Sequence, residues 1–161
     1  MKQILSLIGF VGLSFAAPAV SAILSVSGPG DWYRDLNKPW FNPPDWIFGP
    51  VWTLLYCAMG VAAWLVWLKG ADGNIPLVLP LGVFLLQLVL NALWTPLFFG
   101  MHRPGLALID IMAMWAAIGA TTIAFYPVSK MAAFLFIPYW LWVSFATILN
   151  ASIWWLNRVR L

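Results

Sequence analysis

The chain alternates between long apolar segments and short polar breaks. A helix that crosses the hydrocarbon core of a bilayer needs about 20 mostly apolar residues, since each residue rises about 1.5 Å. The pattern therefore predicts an all-α membrane protein, a bundle of five transmembrane helices forming a single domain over residues 1–161. It lacks the ten-residue alternation typical of membrane β-strands. The predicted helices cover residues 4–26, 47–68, 75–99, 106–125 and 131–156.

The connection over residues 27–46 differs from the three short breaks. It carries 5 of the charged residues and 4 prolines. Proline fixes φ and restricts the residue before it, so the connection is stiff. Long connections of this kind often close over binding sites, so we predict a lid. The alternative for its tryptophans and tyrosine is an interfacial aromatic belt.

Composition narrows the class of protein. Hydrophobic residues make up 63% of the chain, charged residues make up 8%, and glutamate is absent. This excludes a disordered chain and argues strongly against a soluble enzyme, because ordinary soluble domains are about one quarter charged. The run from Lys2 to Ala22 also resembles a secretory signal, but its length favours a retained first helix.

Basic residues predict the orientation of the bundle. One side of the membrane would hold three of them and the other side five, which favours a cytoplasmic lid and C-terminus. The net charge of +3 comes without a basic patch interleaved with aromatics, so we expect no nucleic-acid partner. The three basic residues on the first side of the membrane are Lys2, Lys69 and Lys130. The five on the side of the lid and the C-terminus are Arg34, Lys38, Arg103, Arg158 and Arg160.

Three motifs carry a resemblance to a known family. They are WYRDLNKPWFNPPDWIFGPVWTLLY (residues 32–56), NALWTPLFFG (91–100) and PYWLWVSFATILN (138–150). In order and spacing they resemble the TspO/MBR family, the tryptophan-rich sensory proteins and translocator proteins. The resemblance implies five transmembrane helices, a ligand pocket inside the bundle closed by the first loop, and a location in a bacterial membrane.

The resemblance also implies a function. Family members bind porphyrins and haem-like tetrapyrroles, and some branches bind sterols and benzodiazepine-type ligands. We therefore predict a membrane receptor that takes porphyrin or haem as a ligand, needs no resident cofactor and forms a homodimer. The alternatives are an enzyme for light- and oxygen-dependent porphyrin breakdown and a secondary transporter, although the chain shows no internal repeat of the transporter kind.

Spacing on two predicted helices supports a pocket. Gln87, Asn91 and Trp94 share one face of the third helix, and Trp142, Ala146 and Asn150 share one stripe of the fifth. Amides are costly against lipid, so these faces should look inward. A small residue beside an indole leaves room for a flat ligand. The alternative is that the asparagines only join helices through hydrogen bonds.

Trp52 and Trp142 match pocket tryptophans of the family. Two indoles could sandwich a planar macrocycle by offset stacking, and an oxidisable indole could exchange an electron with a photoexcited porphyrin. If breakdown is catalysed, these two are the candidate catalytic residues. The full set of predicted ligand-binding residues is Trp32, Tyr33, Trp40, Trp46, Trp52, Asn91, Trp94, Trp142, Ala146 and Asn150.

The remaining polar candidates are few. Asp110 lies inside a span, and it and Gln87 are candidates for ligand contact or for a structural role. We predict no metal site, since His102 could ligate haem iron but a lone loop histidine is more often solvated. The family's proposed sterol motif needs a tyrosine where this chain has Trp154 and Trp155, which puts sterol binding in doubt.

Overall fold

The computed structural model describes residues 1–25, 30–71, 73 and 75–159. Five helices are long and apolar enough to cross a membrane, and no strand occurs in the described residues. This confirms the predicted all-α five-helix membrane fold. The elements are α1 (Lys2–Leu24), α2 (Gly30–Asp35), α3 (Asp45–Gly70), α4 (Val78–Thr95), a π-helical turn (Pro96–Gly100), α5 (Pro104–Phe125) and α6 (Lys130–Asn157).

Nearly every helix boundary lies one to three residues from the predicted one, and two of the differences change the description of the bundle. The predicted lid contains the short helix α2 and ends earlier, because α3 begins at Asp45. The third span begins at Val78 and does not stay a regular helix, since its last turn is π-helical. Residues 26–29, which include the start of the predicted lid, and Arg160 lie outside the described residues.

Local sequence explains where the later helices begin. Pro104 occupies the first turn of α5, where its missing amide hydrogen costs no helical hydrogen bond. Ser129 caps α6, and its hydroxyl oxygen accepts a hydrogen bond from the Ala132 amide at 3.3 Å. Short connections then return α5 beside α4 and α6 beside α5.

The five spanning helices form a closed ring in cross-section. Helix α1 packs against α3 and α4, α3 packs against α6, and α5 packs between α4 and α6. Close approach of α1 to α3 depends on Gly60, because a Cβ atom there would lie 2.5 Å from the Cα of Val11. Such an arrangement surrounds a central space along the bundle axis.

Side chains fill that space at the end of the bundle opposite to the lid. Phe84, Phe125 and Phe136 meet one another there with ring centroids 5.3 to 6.3 Å apart. All three are fully buried, as are Ala63 and Val66 on α3. The filled half makes the packed core, and the half near the lid contains a cavity.

Candidate functional site

A cavity of about 520 Å³ lies inside the helix ring at the lid end. All five spanning helices and the lid contribute to its wall, which is mostly apolar and aromatic. The lining residues are Tyr33 from the lid; Pro18, Ser21 and Ala22 from α1; Asp45, Phe48, Gly49, Trp52 and Tyr56 from α3; Asn91, Trp94, Thr95, Phe98 and Phe99 from α4 and the π turn; Ile111 and Met114 from α5; and Trp142, Ala146, Leu149, Asn150 and Ile153 from α6.

Two indoles on different helices supply flat wall surface. Trp52 stacks on Tyr56 with ring centroids 5.5 Å apart and meets Tyr139 edge-on at 6.1 Å. Trp142 packs edge-on against Phe48 at 5.8 Å. These aromatic contacts hold each indole in a fixed orientation while leaving part of it against the cavity.

A buried hydrogen-bond network closes one region of the cavity wall. The Tyr56 hydroxyl donates to Asn91 Oδ1 at 2.7 Å, and Asn91 Nδ2 donates to the Tyr139 hydroxyl at 3.1 Å. The Tyr139 hydroxyl donates in turn to Gln87 Oε1 at 3.0 Å. The network joins α3, α4 and α6, so Asn91 both connects helices and lines the cavity.

Asn150, like Asn91, both connects helices and lines the cavity. Its Oδ1 accepts a hydrogen bond from Trp94 Nε1 at 3.0 Å, and its Nδ2 donates to the Pro104 carbonyl at 2.8 Å. The side chain is 2% exposed and joins α6 to α4 and α5. The side-chain amides of Asn91 and Asn150 are therefore both paired with protein groups before any ligand arrives.

The π turn shapes the wall between α4 and α5. The Met101 amide donates to the Pro96 carbonyl at 2.8 Å, a spacing of five residues. Phe98 is 1% exposed, and its ring stacks on that of Trp94 with centroids 5.0 Å apart. Single π turns within helices are frequent at functional sites. Here the turn aligns two aromatic rings along the cavity.

The lid closes on this aromatic wall through Tyr33. Its ring meets Phe99 edge-on at 5.3 Å, and its hydroxyl donates to Asn42 Oδ1 at 3.4 Å. Burial raises the pKa of the Tyr33 phenol, and the Asp45 carboxylate raises it further. Tyr33 therefore lies at the mouth of the cavity, close to a negative charge.

A second contact fixes the lid to the far end of the chain. Asn157 Oδ1 accepts a hydrogen bond from the Asn37 amide, and Asn157 Nδ2 donates to the Asn37 carbonyl, both at 2.9 Å. The Asn157 side chain is 1% exposed. The lid and the C-terminal end of α6 consequently lie at the same end of the bundle.

Seven of the ten predicted ligand-binding residues line the cavity. They are Tyr33, Trp52, Asn91, Trp94, Trp142, Ala146 and Asn150.

The other three predicted residues of that set, Trp32 and Trp40 in the lid and Trp46 in the first turn of α3, lie outside the cavity wall. Trp40 is 95% exposed and Trp46 is 74% exposed. Trp32 instead stacks on the His102 ring with centroids 4.3 Å apart and meets Phe98 edge-on. The structure therefore places His102 against the lid, on the outer side of the cavity wall.

The two remaining polar candidates are buried behind the wall. Gln87 is fully buried and belongs to the hydrogen-bond network of Asn91 and Tyr139. Asp110 is 7% exposed, and its Oδ2 has no hydrogen-bond partner among the described residues. Neither side chain lines the cavity, although Ile111, the neighbour of Asp110, does.

Several lining residues gave no signal in the sequence. Pro18, Ser21 and Ala22 come from α1, which is apolar on every side, so no face could be assigned from its pattern. In the structure, the Ser21 hydroxyl donates a hydrogen bond to the Ala92 carbonyl of α4 at 2.8 Å. Asp45 lay within a recognised motif as one of the charged residues of the predicted lid, and nothing in the pattern singled it out.

Comparison with known proteins agrees with this architecture. The TspO/MBR family profile matches residues 10–156. The Translocator protein of Homo sapiens is 46% identical over 123 residues, 76% of this chain and 73% of that protein. The Tryptophan-rich protein TspO of Chlorobaculum tepidum is 42% identical over 160 residues, 97% of this chain and 98% of that protein.

A third relative, the Tryptophan-rich sensory protein of Cereibacter sphaeroides, is 43% identical over 144 residues, 89% of this chain and 87% of that protein. The profile covers the lid and most residues of the five helices, and each relative covers most of the chain. With five membrane-spanning helices around that cavity, the chain is an integral multi-pass membrane protein that belongs to the TspO/MBR family.

Proposed function

We propose that the protein is a membrane receptor whose cavity binds flat, largely apolar ring molecules of the tetrapyrrole class. The observation that carries the proposal is a cavity lined by Trp52 and Trp142 from separate helices, with the small residue Ala146 one turn after Trp142. Indole faces favour flat π systems through offset stacking and dispersion. A small side chain beside an indole leaves space for the edge of such a ring.

The dimensions and chemistry of the cavity support this class of ligand. A volume of about 520 Å³ falls within the range of about 300–1,000 Å³ typical of small-molecule sites. The wall is mainly aromatic and aliphatic, and Asn91 and Asn150 are already paired with protein groups. Recognition would rest on shape and stacking, with porphyrin or haem as a ligand and not as a resident cofactor.

Family membership supports a receptor or sensor role. One relative is named a sensory protein and another a translocator protein. Ligand occupancy would be the signal, acting in tetrapyrrole regulation, transport or the response to stress. The orientation predicted from the basic residues would expose the lid, and therefore the mouth of the cavity, to the cytoplasm.

Quenching of tryptophan fluorescence tests the binding proposal. Protoporphyrin is titrated into the protein in nanodiscs, and saturable quenching is expected. Trp52→Leu should raise the Kd about tenfold, because aromatic stacking contributes about 0.5–1.5 kcal/mol beyond buried area. Trp155→Leu is the matched control, since this indole is 61% exposed and lies outside the cavity wall. Equal Kd values for both variants would contradict the proposal.

A second candidate function is light- and oxygen-dependent breakdown of the bound ring. The observation that favours it is the contact of Trp52 and Trp142, both oxidisable, with the cavity. An indole there could donate an electron to a photoexcited porphyrin. Trp142→Phe should then slow the loss of porphyrin absorbance under light at saturating protein. An unchanged rate with intact binding would remove the enzymatic role.

A further inference from the structure

The described residues of the cavity wall carry a negative charge and no positive one. Among the described residues that line the cavity, Asp45 is the only charged one, and no lysine or arginine of that set lines it. Asp45 is the first residue of α3 and is exposed at the lid end. Tyr33 of the lid lines the same cavity, so Asp45 and Tyr33 both belong to its wall at the lid end.

No charged side chain of the described residues lines the deeper part of the cavity, and the two asparagine amides there are already paired. Asn91 is bonded to the Tyr56 and Tyr139 hydroxyls, and Asn150 is bonded to Trp94 and to a backbone carbonyl. A charge buried without a partner is strongly disfavoured. A ring ligand with charged substituents must therefore turn them toward the lid end, where Asp45 lies.

The nearest lid cations are directed elsewhere. Lys38 Nζ lies 4.5 Å from the Tyr33 ring centroid and donates to the carbonyls of Arg34 and Leu36. The Arg34 guanidinium lies 3.5 Å from Asp31, on the exposed surface of α2. Neither cation lines the cavity. The first protein charge met by a ligand substituent at the mouth is therefore negative.

We infer that Asp45 selects ligands by charge, so that the cavity prefers flat rings with a neutral or cationic polar end over dicarboxylate rings. The inference rests on the proposed function, because it concerns the same cavity and the same class of ligand. Asp45 is thereby a specificity-determining residue, and ring stacking supplies the affinity that all of these ligands share.

Three ligands with one macrocycle test the inference. Protoporphyrin IX, its dimethyl ester and its bis-amide carrying two terminal amines are titrated into the protein in zwitterionic nanodiscs. Two unit charges a few ångström apart at a wet surface interact by about 1 kcal/mol, so the ester and the amine should bind about three- to tenfold more tightly than the dicarboxylate. Asp45→Asn should strengthen dicarboxylate binding by about that factor, weaken amine binding similarly and leave the ester unchanged.

Asp35→Asn is the matched control. It removes the same charge from the exposed surface of the lid, away from the cavity wall, so it should leave all three affinities unchanged. The salt dependence of the affinities is a test that needs no variant. Added salt should shrink the preference of the unmodified protein for the amine.

The outcomes separate the two proposals. If the uncharged ester shows no saturable binding, the proposed ligand class fails. If the ester binds but the dicarboxylate binds more tightly, or if Asp45→Asn and Asp35→Asn shift the charged ligands equally, the assignment of Asp45 is overturned. If the dicarboxylate binds more tightly and Lys38→Met removes that preference, the selection belongs to the lid cation, which overturns the assignment as well.

Discussion

The hydrogen bonds between Asn157 and Asn37 should hold the lid against the bundle. The Asn157 amide mimics a peptide group, accepting from the Asn37 amide and donating to its carbonyl at 2.9 Å each. Asn157→Ala removes both bonds and also the one that Nδ2 donates to the Ile153 carbonyl at 2.8 Å. The bundle itself should persist, because the helix packing around the core does not involve this amide.

The size of the effect follows from the two lid bonds. A hydrogen bond contributes about 0.5–1.5 kcal/mol net, so losing two should favour lid opening by about 1–3 kcal/mol. This corresponds to an opening equilibrium raised about 5- to 150-fold. The Asn37 backbone is exposed enough to bond to water, which limits the cost of leaving it unpaired.

Hydrogen exchange measured by mass spectrometry checks this prediction. Exchange at residues 36–38 should accelerate by that factor in Asn157→Ala, and protoporphyrin should dissociate faster. Ser152→Ala is the matched control on α6, since its hydroxyl donates to the Ile148 carbonyl of the same helix. Unchanged exchange in a folded Asn157→Ala protein would refute the reasoning.

Two further variants test the packing of the bundle. Gly60→Ala should destabilise the protein by about 1–3 kcal/mol in detergent unfolding, because its Cβ would lie 2.5 Å from the Val11 Cα. Gly82→Ala, with open space around it, should not destabilise the protein, and equal losses would contradict the close approach of α1 and α3. Asn91→Leu should cost about 1–2 kcal/mol in the same assay, because the buried Tyr56 hydroxyl loses its acceptor; a neutral result would count against the network.

The five spans could be predicted because bilayer thickness imposes a length and an apolar composition on each of them. The inward placement of Asn91 and Asn150, both of which line the cavity, also followed from physics, since amides avoid lipid and both lie at helical spacing from large rings. The hydrophobic periodicity did not single out Trp52, and only the family resemblance predicted that it lines the pocket.

Other features depend on contacts that no local pattern encodes. The π turn over Pro96–Gly100 reads in the sequence as the end of an ordinary helix. Trp40 and Trp46 share the composition of the lid with Tyr33, but the fold of the loop decides which ring faces inward. The pairing of Asn37 with Asn157 spans 120 residues and arises only when the lid folds against the C-terminal end of α6.

The central claim is that a flat ring occupies the cavity beside Trp142. Ala146→Trp would fill that space with a second indole, whereas Ala116→Trp adds the same bulk on an exposed face of α5. The measurement is the Kd of protoporphyrin dimethyl ester for both variants in nanodiscs. The account predicts that Ala146→Trp abolishes saturable binding and that Ala116→Trp binds like the unmodified protein. Full binding by a folded Ala146→Trp protein would contradict it.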